Sequence, residues 1–215
     1  MDTASNTSNA LVISYLGLRK AIGIIGMALP FVLVLGKMLF ESPGIQSSIS
    51  SYYYTVMRDV FVGSLCAIGI FLASYRGYAR QDCIAGRLAC FFALGVAFFP
   101  TTPPANITEM NTIIGMAHLF FAACFFLILA FFALVLFRKT DPTKLPTLRK
   151  KQRNMVYAVC GYVILACIAL IILINLFPCN SSLKNLAPIF WLESAAIATF
   201  GISWFVKGEA ILKDE

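Results

Sequence analysis

The chain has 215 residues, 60% of them hydrophobic and 13% charged, where soluble domains carry roughly one-quarter charged residues. Its formal net charge of +7 sits beside apolar runs, where Lys and Arg act as topology signals; nucleic acid is therefore not an expected partner, and membrane lipids are. This excludes an ordinary water-soluble protein and predicts an all-α fold, a polytopic transmembrane helix bundle forming a single domain over 1–215.

Six apolar segments approach the roughly 20 residues a helix needs to cross hydrocarbon, at about 16–40, 56–75, 83–100, 112–137, 154–177 and 187–206. The first lacks a preceding basic region or cleavage pattern and reads as its own insertion signal. Arg19 and Lys20 place its opening turns at the interface, and Pro30 within it removes a backbone donor and predicts a kink.

Between the first two spans, Glu41–Thr55 contains a hydroxyl cluster followed by Tyr52, Tyr53 and Tyr54. The loop Arg138–Arg153 is the most basic stretch; with Pro142 and Pro146 it predicts a poor helix that either stays solvated or meets anionic headgroups. Pro178–Leu186 forms a further loop and holds Cys179.

Lys and Arg fix an expected orientation. With the N-terminus inside, Arg19, Lys20, Arg76, Arg80, Arg87, Arg138, Lys139, Lys144, Arg149, Lys150, Lys151, Arg153, Lys207 and Lys213 lie on the inner face, leaving Lys37, Arg58 and Lys184 outside. Both termini are then cytoplasmic, in agreement with an even number of spans. Six of the seven Cys lie in or at the ends of apolar runs and read as small hydrophobes. An odd count without a C-x-x-C pair argues against a disulfide framework or a thiolate zinc site.

The last span, within the run from Phe190 to Glu209, is rich in Ala, Ser, Thr and Gly. Small residues let helix backbones approach, so it is expected inside the bundle, with Glu193 as its one intramembrane carboxylate. Counted from the outer ends of their spans, Asp59 lies about three residues in, and His118 and Glu193 about six, giving depths of roughly 5 to 9 Å at ~1.5 Å per residue. This predicts an outward-facing polar pocket lined by Asp59, His118 and Glu193, with Arg58, Ser50, Ser51, Tyr54 and Trp191 around it.

Such a group can relay protons or hold a divalent ion. The structural alternatives are a His118–Glu193 hydrogen bond that fixes the bundle, an interfacial Arg58–Asp59 ion pair, and Trp191 as part of an aromatic belt. Lys207, near the inner end of its span, is expected to snorkel to water.

Ser47–Tyr78 and Phe190–Gly208 resemble a group of uncharacterised bacterial multi-pass membrane proteins. Ser48-Ile49-Ser50 before the second span is more distantly similar to the six-span family that contains the damage-regulated autophagy modulators. These resemblances imply a six-span bundle in a bacterial inner membrane and no particular activity. The membrane hydrolases related to alkaline ceramidases also combine Ser, Asp and His, but their zinc needs three His, and His118 is the only His in this chain.

Two functions remain. One is binding or transport of a lipid, small amphiphile or ion in the outer pocket. The other is a membrane-embedded lipid hydrolase or transferase using Asp59, His118 and Glu193 with a hydroxyl from Ser50 or Ser51. G-x-S-x-G, Walker and H-E-x-x-H motifs are missing from the sequence, which favours the first. No cofactor, metal or oligomeric state is specified.

Overall fold

The computed structural model describes residues 2–77, 79–140, 147–177 and 185–212, with side chains from Tyr15 onward. Among the described residues there are six α-helices and no strand: α1 Asp2–Phe40, α2 Arg58–Ala73, α3 Arg80–Phe98, α4 Glu109–Phe131, α5 Leu148–Leu176 and α6 Pro188–Lys207. A 3-10 turn, Ser50–Tyr54, precedes α2, and a π-turn, Phe132–Leu136, extends α4.

Among the described residues, five segments are long and apolar enough to cross a membrane: Tyr15–Phe40, Arg80–Phe98, Glu109–Leu136, Leu148–Leu176 and Pro188–Lys207. The expected second span contracts to α2, whose 16 residues reach about 24 Å at ~1.5 Å per residue, short of a typical ~30 Å hydrocarbon core. Two local causes shorten it. The chain before it is taken up by the Ser50–Tyr54 turn, and after Ser74 the backbone leaves the helix so that Tyr75, 1% exposed, enters the core.

The helices form a closed ring, each packing on the next in chain order and α6 returning to α1. In α2 the buried Phe61, Leu65, Ile68 and Leu72 recur at three- and four-residue spacing, the stripe that turns a helix toward a core. Outside the ring, Phe31, Leu39, Phe120 and Leu127 are half or more exposed. Water would penalise that apolar exterior and acyl chains would not, so the chain has the make-up of an integral membrane protein.

Small residues set the α1–α6 distance. A methyl group added to Gly23 would strike the Phe205 ring and come within 2.9 Å of the Gly201 carbonyl, and one added to Gly201 would strike Met27 and come within 2.9 Å of the Gly23 carbonyl. α6 is nevertheless one wall of the ring, because Trp191 and Ile202 on its other side stay exposed. Its small-residue content seats one face and does not place the helix at the centre.

Several boundaries move from their expected places. α1 extends back to Asp2 and continues through Pro30, so Arg19 and Lys20 are mid-helix rather than at its start. α5 begins at Leu148 because the Thr147 hydroxyl accepts the Lys150 N–H at 3.1 Å, satisfying a first-turn amide. Arg149–Arg153 are consequently helical, not loop. Pro142, Lys144, Pro146, Cys179 and Lys184 lie outside the described residues.

Candidate functional site

At one end of the bundle, the segment between α1 and α2 is laced to its surroundings. Lys37, 4% exposed, donates to the Ser42 carbonyl and hydroxyl, each at 2.9 Å. The Val56 N–H donates to a Glu41 carboxylate oxygen at 2.9 Å. The Ser51 hydroxyl lies 2.7 Å from that of Ser48 and 3.1 Å from that of Ser47.

Burial pushes the Tyr52 phenol above its ordinary range, with a smaller opposing effect from its backbone contact with Gln46. It stays protonated and accepts the Gln46 N–H at 3.4 Å. The exposed Tyr54 donates to the Thr101 carbonyl at 2.6 Å, tying the turn to the α3–α4 connection.

Glu193 is the point where α6 grips this segment. Its carboxylate accepts the Ile49 N–H at 2.6 Å, and the Ser50 backbone lies in the same contact. One turn earlier on α6, the Phe190 N–H donates to the Ser47 carbonyl at 3.1 Å. Ser50 is buried and Ser51 half-buried, while Glu193 itself keeps part of its surface accessible. A carboxylate receiving amide N–H groups is a charge-assisted arrangement, so Glu193 positions the hydroxyl-rich turn.

The other expected lining residues go elsewhere. His118 is 3% exposed, and its Nδ1 lies 2.7 Å from the Phe99 carbonyl, with the Val96 carbonyl also within reach. It thus ties α4 to the end of α3, where helix carbonyls lack intrahelical donors. Asp59 is exposed in the first turn of α2. Arg58 turns from it to the Tyr53 hydroxyl, to which it donates at 2.6 Å, and lies 4.3 Å over that ring.

Measured along their own helices, Asp59, Glu193 and His118 stand in the first, second and third turns. The apolar run ends from which the shared depth was inferred are not where these helices begin. Among the described residues no hydrogen bond or ion pair joins the three, and no group of three His, Cys, Asp or Glu is placed to share a metal ion. Trp191 is exposed and packs edge-on against Phe190 at 5.2 Å, the disposition of an interfacial aromatic.

Compared with family models, with curated proteins and with solved structures, the chain matches none. Its functional reading therefore rests on its own residues.

The opposite end holds a second constellation that the charge pattern alone did not reveal. Trp204, fully buried, packs its ring against Tyr75, Phe132, Phe137 and Phe200 at centroid distances of 5.2, 5.9, 5.1 and 5.9 Å. Cations surround this aromatic core. The Arg19 guanidinium lies 4.4 Å over Tyr15 and 5.6 Å over Tyr75, and donates to the Lys207 carbonyl at 3.0 Å.

Lys150 donates to the Phe137 carbonyl at 3.1 Å, and the Lys207 ammonium lies 5.5 Å over the Phe137 ring. Lys207 thus leans on an aromatic face, which differs from the expected reach straight to water. Asp82, fully buried, accepts the Ala79 N–H at 2.9 Å and pairs with Lys139 at 3.2 Å. The sequence signal was present in Tyr75 and Phe137, which end apolar runs beside Arg76 and Arg138, and in Trp204, three residues before Lys207.

Proposed function

We propose that this protein is a six-crossing integral membrane protein with both termini in the cytoplasm, and that its outer end binds or transports a lipid, small amphiphile or ion at a polar site centred on Glu193. A bacterial inner membrane is part of this reading, as is kinship with multi-pass proteins of the kind its sequence resembles. Ring closure supports the sixth crossing: α2 sits between α1 and α3, and a short helix is accommodated by local thinning of the bilayer.

The observation that carries the ligand site is the Glu193 carboxylate. It lies on a membrane-length apolar helix, 2.6 Å from the amide of Ile49, within the hydroxyl-rich segment Ser47–Ser51. A carboxylate in such a helix is costly and marks function by default. Ser50, Ser51 and Tyr54 belong to this site as its rim, while His118 serves the α3–α4 corner. Binding is favoured over hydrolase or transferase chemistry because the His118 ring is engaged by the Phe99 carbonyl rather than by a serine hydroxyl.

The test is Glu193→Gln, which keeps an oxygen acceptor for the Ile49 amide and removes the charge. Purified wild-type protein is expected to carry a lipid, amphiphile or ion that the variant loses at nearly unchanged melting temperature. Identical bound species in both proteins would return Glu193 to a structural cap.

A further inference from the structure

The segment between α1 and α2 is seated on the helix ring by contacts of two kinds. Ile49 and Tyr52, 2% and 0% exposed, sink into the core, and the Tyr52 ring lies 6.1 Å from that of Phe190. Around them the segment is pinned by single polar contacts: Ser42 by Lys37, Val56 by Glu41, the Ser47 carbonyl by the Phe190 N–H, and Tyr54 by the Thr101 carbonyl. Glu193 supplies one more, and it is the carboxylate among them that stands on a membrane-length helix.

Asp82 and Glu193 are answered differently. Asp82 meets the Lys139 ammonium at 3.2 Å, whereas among the described residues no cation pairs with Glu193, which faces the neutral N–H groups of Ile49 and Ser50. Amide dipoles orient a carboxylate without cancelling its charge, and a charge drawn out of water favours an opposite one beside it. A cation supplying it has to share or take the oxygen that the Ile49 N–H now holds at 2.6 Å. The hydroxyls of Ser47, Ser48 and Ser51 lie within two residues of Ile49 and within 3.1 Å of one another in the pairs Ser47–Ser51 and Ser48–Ser51, and their oxygens are further acceptors.

The segment also has joints for such an exchange. Gly44 has φ +117° and open space where a side chain would stand, and Thr55, at φ −123° and ψ 174°, is extended between the 3-10 turn and α2. Residues 41–45 are exposed, so the approach to Ile49 can shift without disturbing packed neighbours. Few-residue joints of this kind absorb the backbone change when a segment swings.

On the footing of the Glu193 ligand site proposed above, we infer that its ligand is a monovalent cation and that the 42–57 segment is the gate over it. Cation and Ile49 N–H compete for one carboxylate, so binding lifts the segment and a seated segment weakens binding, by the same factor. The charge comes from an inorganic ion or from the ammonium head of an amphiphile, since a carboxylate accepts both.

The full chain in detergent is titrated with sodium, potassium and octylammonium chloride, with ionic strength held by N-methylglucamine chloride. Equilibrium dialysis against protein-free detergent counts bound cation, and hydrogen-exchange mass spectrometry of peptides spanning 45–54 reads the gate. Saturable binding of sodium or potassium identifies an ion; a response to octylammonium alone identifies an amphiphile's head. With either, exchange over 45–54 is expected to rise about tenfold, the release of one charge-assisted hydrogen bond, while peptides around Trp204 stay unchanged. Glu193→Gln is expected to abolish both binding and the rise.

Tyr54→Phe separates a gate from a simple rim. It keeps the ring against Tyr53 and loses the anchor to Thr101, so the gate opens more easily and cation affinity rises about fivefold, the worth of one neutral hydrogen bond; a ligand contact made by the Tyr54 hydroxyl would lower it. Glu41→Ala, which frees the Val56 N–H, is expected to act in the same direction although it removes a negative charge. Cation binding with exchange over 45–54 unchanged, or tightened by neither variant, overturns the gate and leaves the Glu193 site standing. Failure of all three cations to bind overturns the inference as a whole, and the species copurifying with wild type and Glu193→Gln then shows separately whether Glu193 holds a ligand of another kind.

Discussion

The two ends of this bundle solve opposite electrostatic problems with different materials. At one end, the carboxylate of Glu193 is answered by backbone amides of the Ile49–Ser50 turn. At the other, Arg19 and Lys207 meet aromatic faces and a helix-end carbonyl around Trp204. Backbone amides come only as part of a folded turn, so the outer acid and its loop depend on each other. Ring faces come with the core itself, so the inner cations rest on packing that forms without them. The Glu193 end should be fragile in its shape and the Trp204 end robust, with charge the more adjustable property there.

Substitutions can break this contrast, and the largest effect belongs to the inner core. Trp204→Ala removes the ring shared by Tyr75, Phe132 and Phe137 and should destabilise the protein by about 3–5 kcal/mol, measured by unfolding in detergent. Trp204→Phe keeps most of the ring, drops the unpartnered N–H and should cost far less; a loss as large as that of the alanine variant would give the indole nitrogen a structural partner.

Next is the α1–α6 contact. Gly201→Leu forces Met27 and the Gly23 backbone aside, at about 1–3 kcal/mol for overpacking, and the same assay checks it.

Glu193→Leu should follow at about 1–3 kcal/mol, because the Ile49 amide is left without its acceptor. Protection of the Ile49 and Ser50 amides from hydrogen exchange should fall with it, while the Trp204 region stays protected. Loss of protection at both ends together would erase the proposed independence. The smallest effect is expected from Thr147→Ala, about 1 kcal/mol for a lost helix cap, with fraying confined to the first turn of α5. Labelling of Cys179 solely from outside the cell would sharpen the assignment of ends, and labelling solely from the cytoplasm would reverse it.

Much of the helical order was legible because membrane-length apolar runs leave little freedom: the segments near 83–100 and 187–206 became α3 and α6 with shifts of only a few residues. α2 was less legible, since nothing in the run from Val56 to Tyr75 reveals that Tyr75 leaves the helix to pack against Trp204.

At the site, Glu193 stood out as an ionisable group in an apolar helix, but its partner is a backbone amide 144 residues away in sequence, and amides carry no residue-specific signature. His118 and Asp59 were grouped with it by counting from run ends, whereas the helices start at Glu109 and Arg58 and the His118 ring meets the Phe99 carbonyl instead. Lys207 was read as a snorkelling residue because the Phe137 face beneath it comes from the π-turn region after α4.

The account turns on Glu193 being a ligand-facing charge at an end that works independently of the inner cations. Native mass spectrometry of the intact protein released from nanodiscs tests this most directly, with wild type, Glu193→Gln and Arg19→Gln compared side by side. The predicted result is a bound lipid, amphiphile or ion present in wild type and Arg19→Gln but missing from Glu193→Gln. Retention of that same species by Glu193→Gln, or its loss from Arg19→Gln alone, would contradict it.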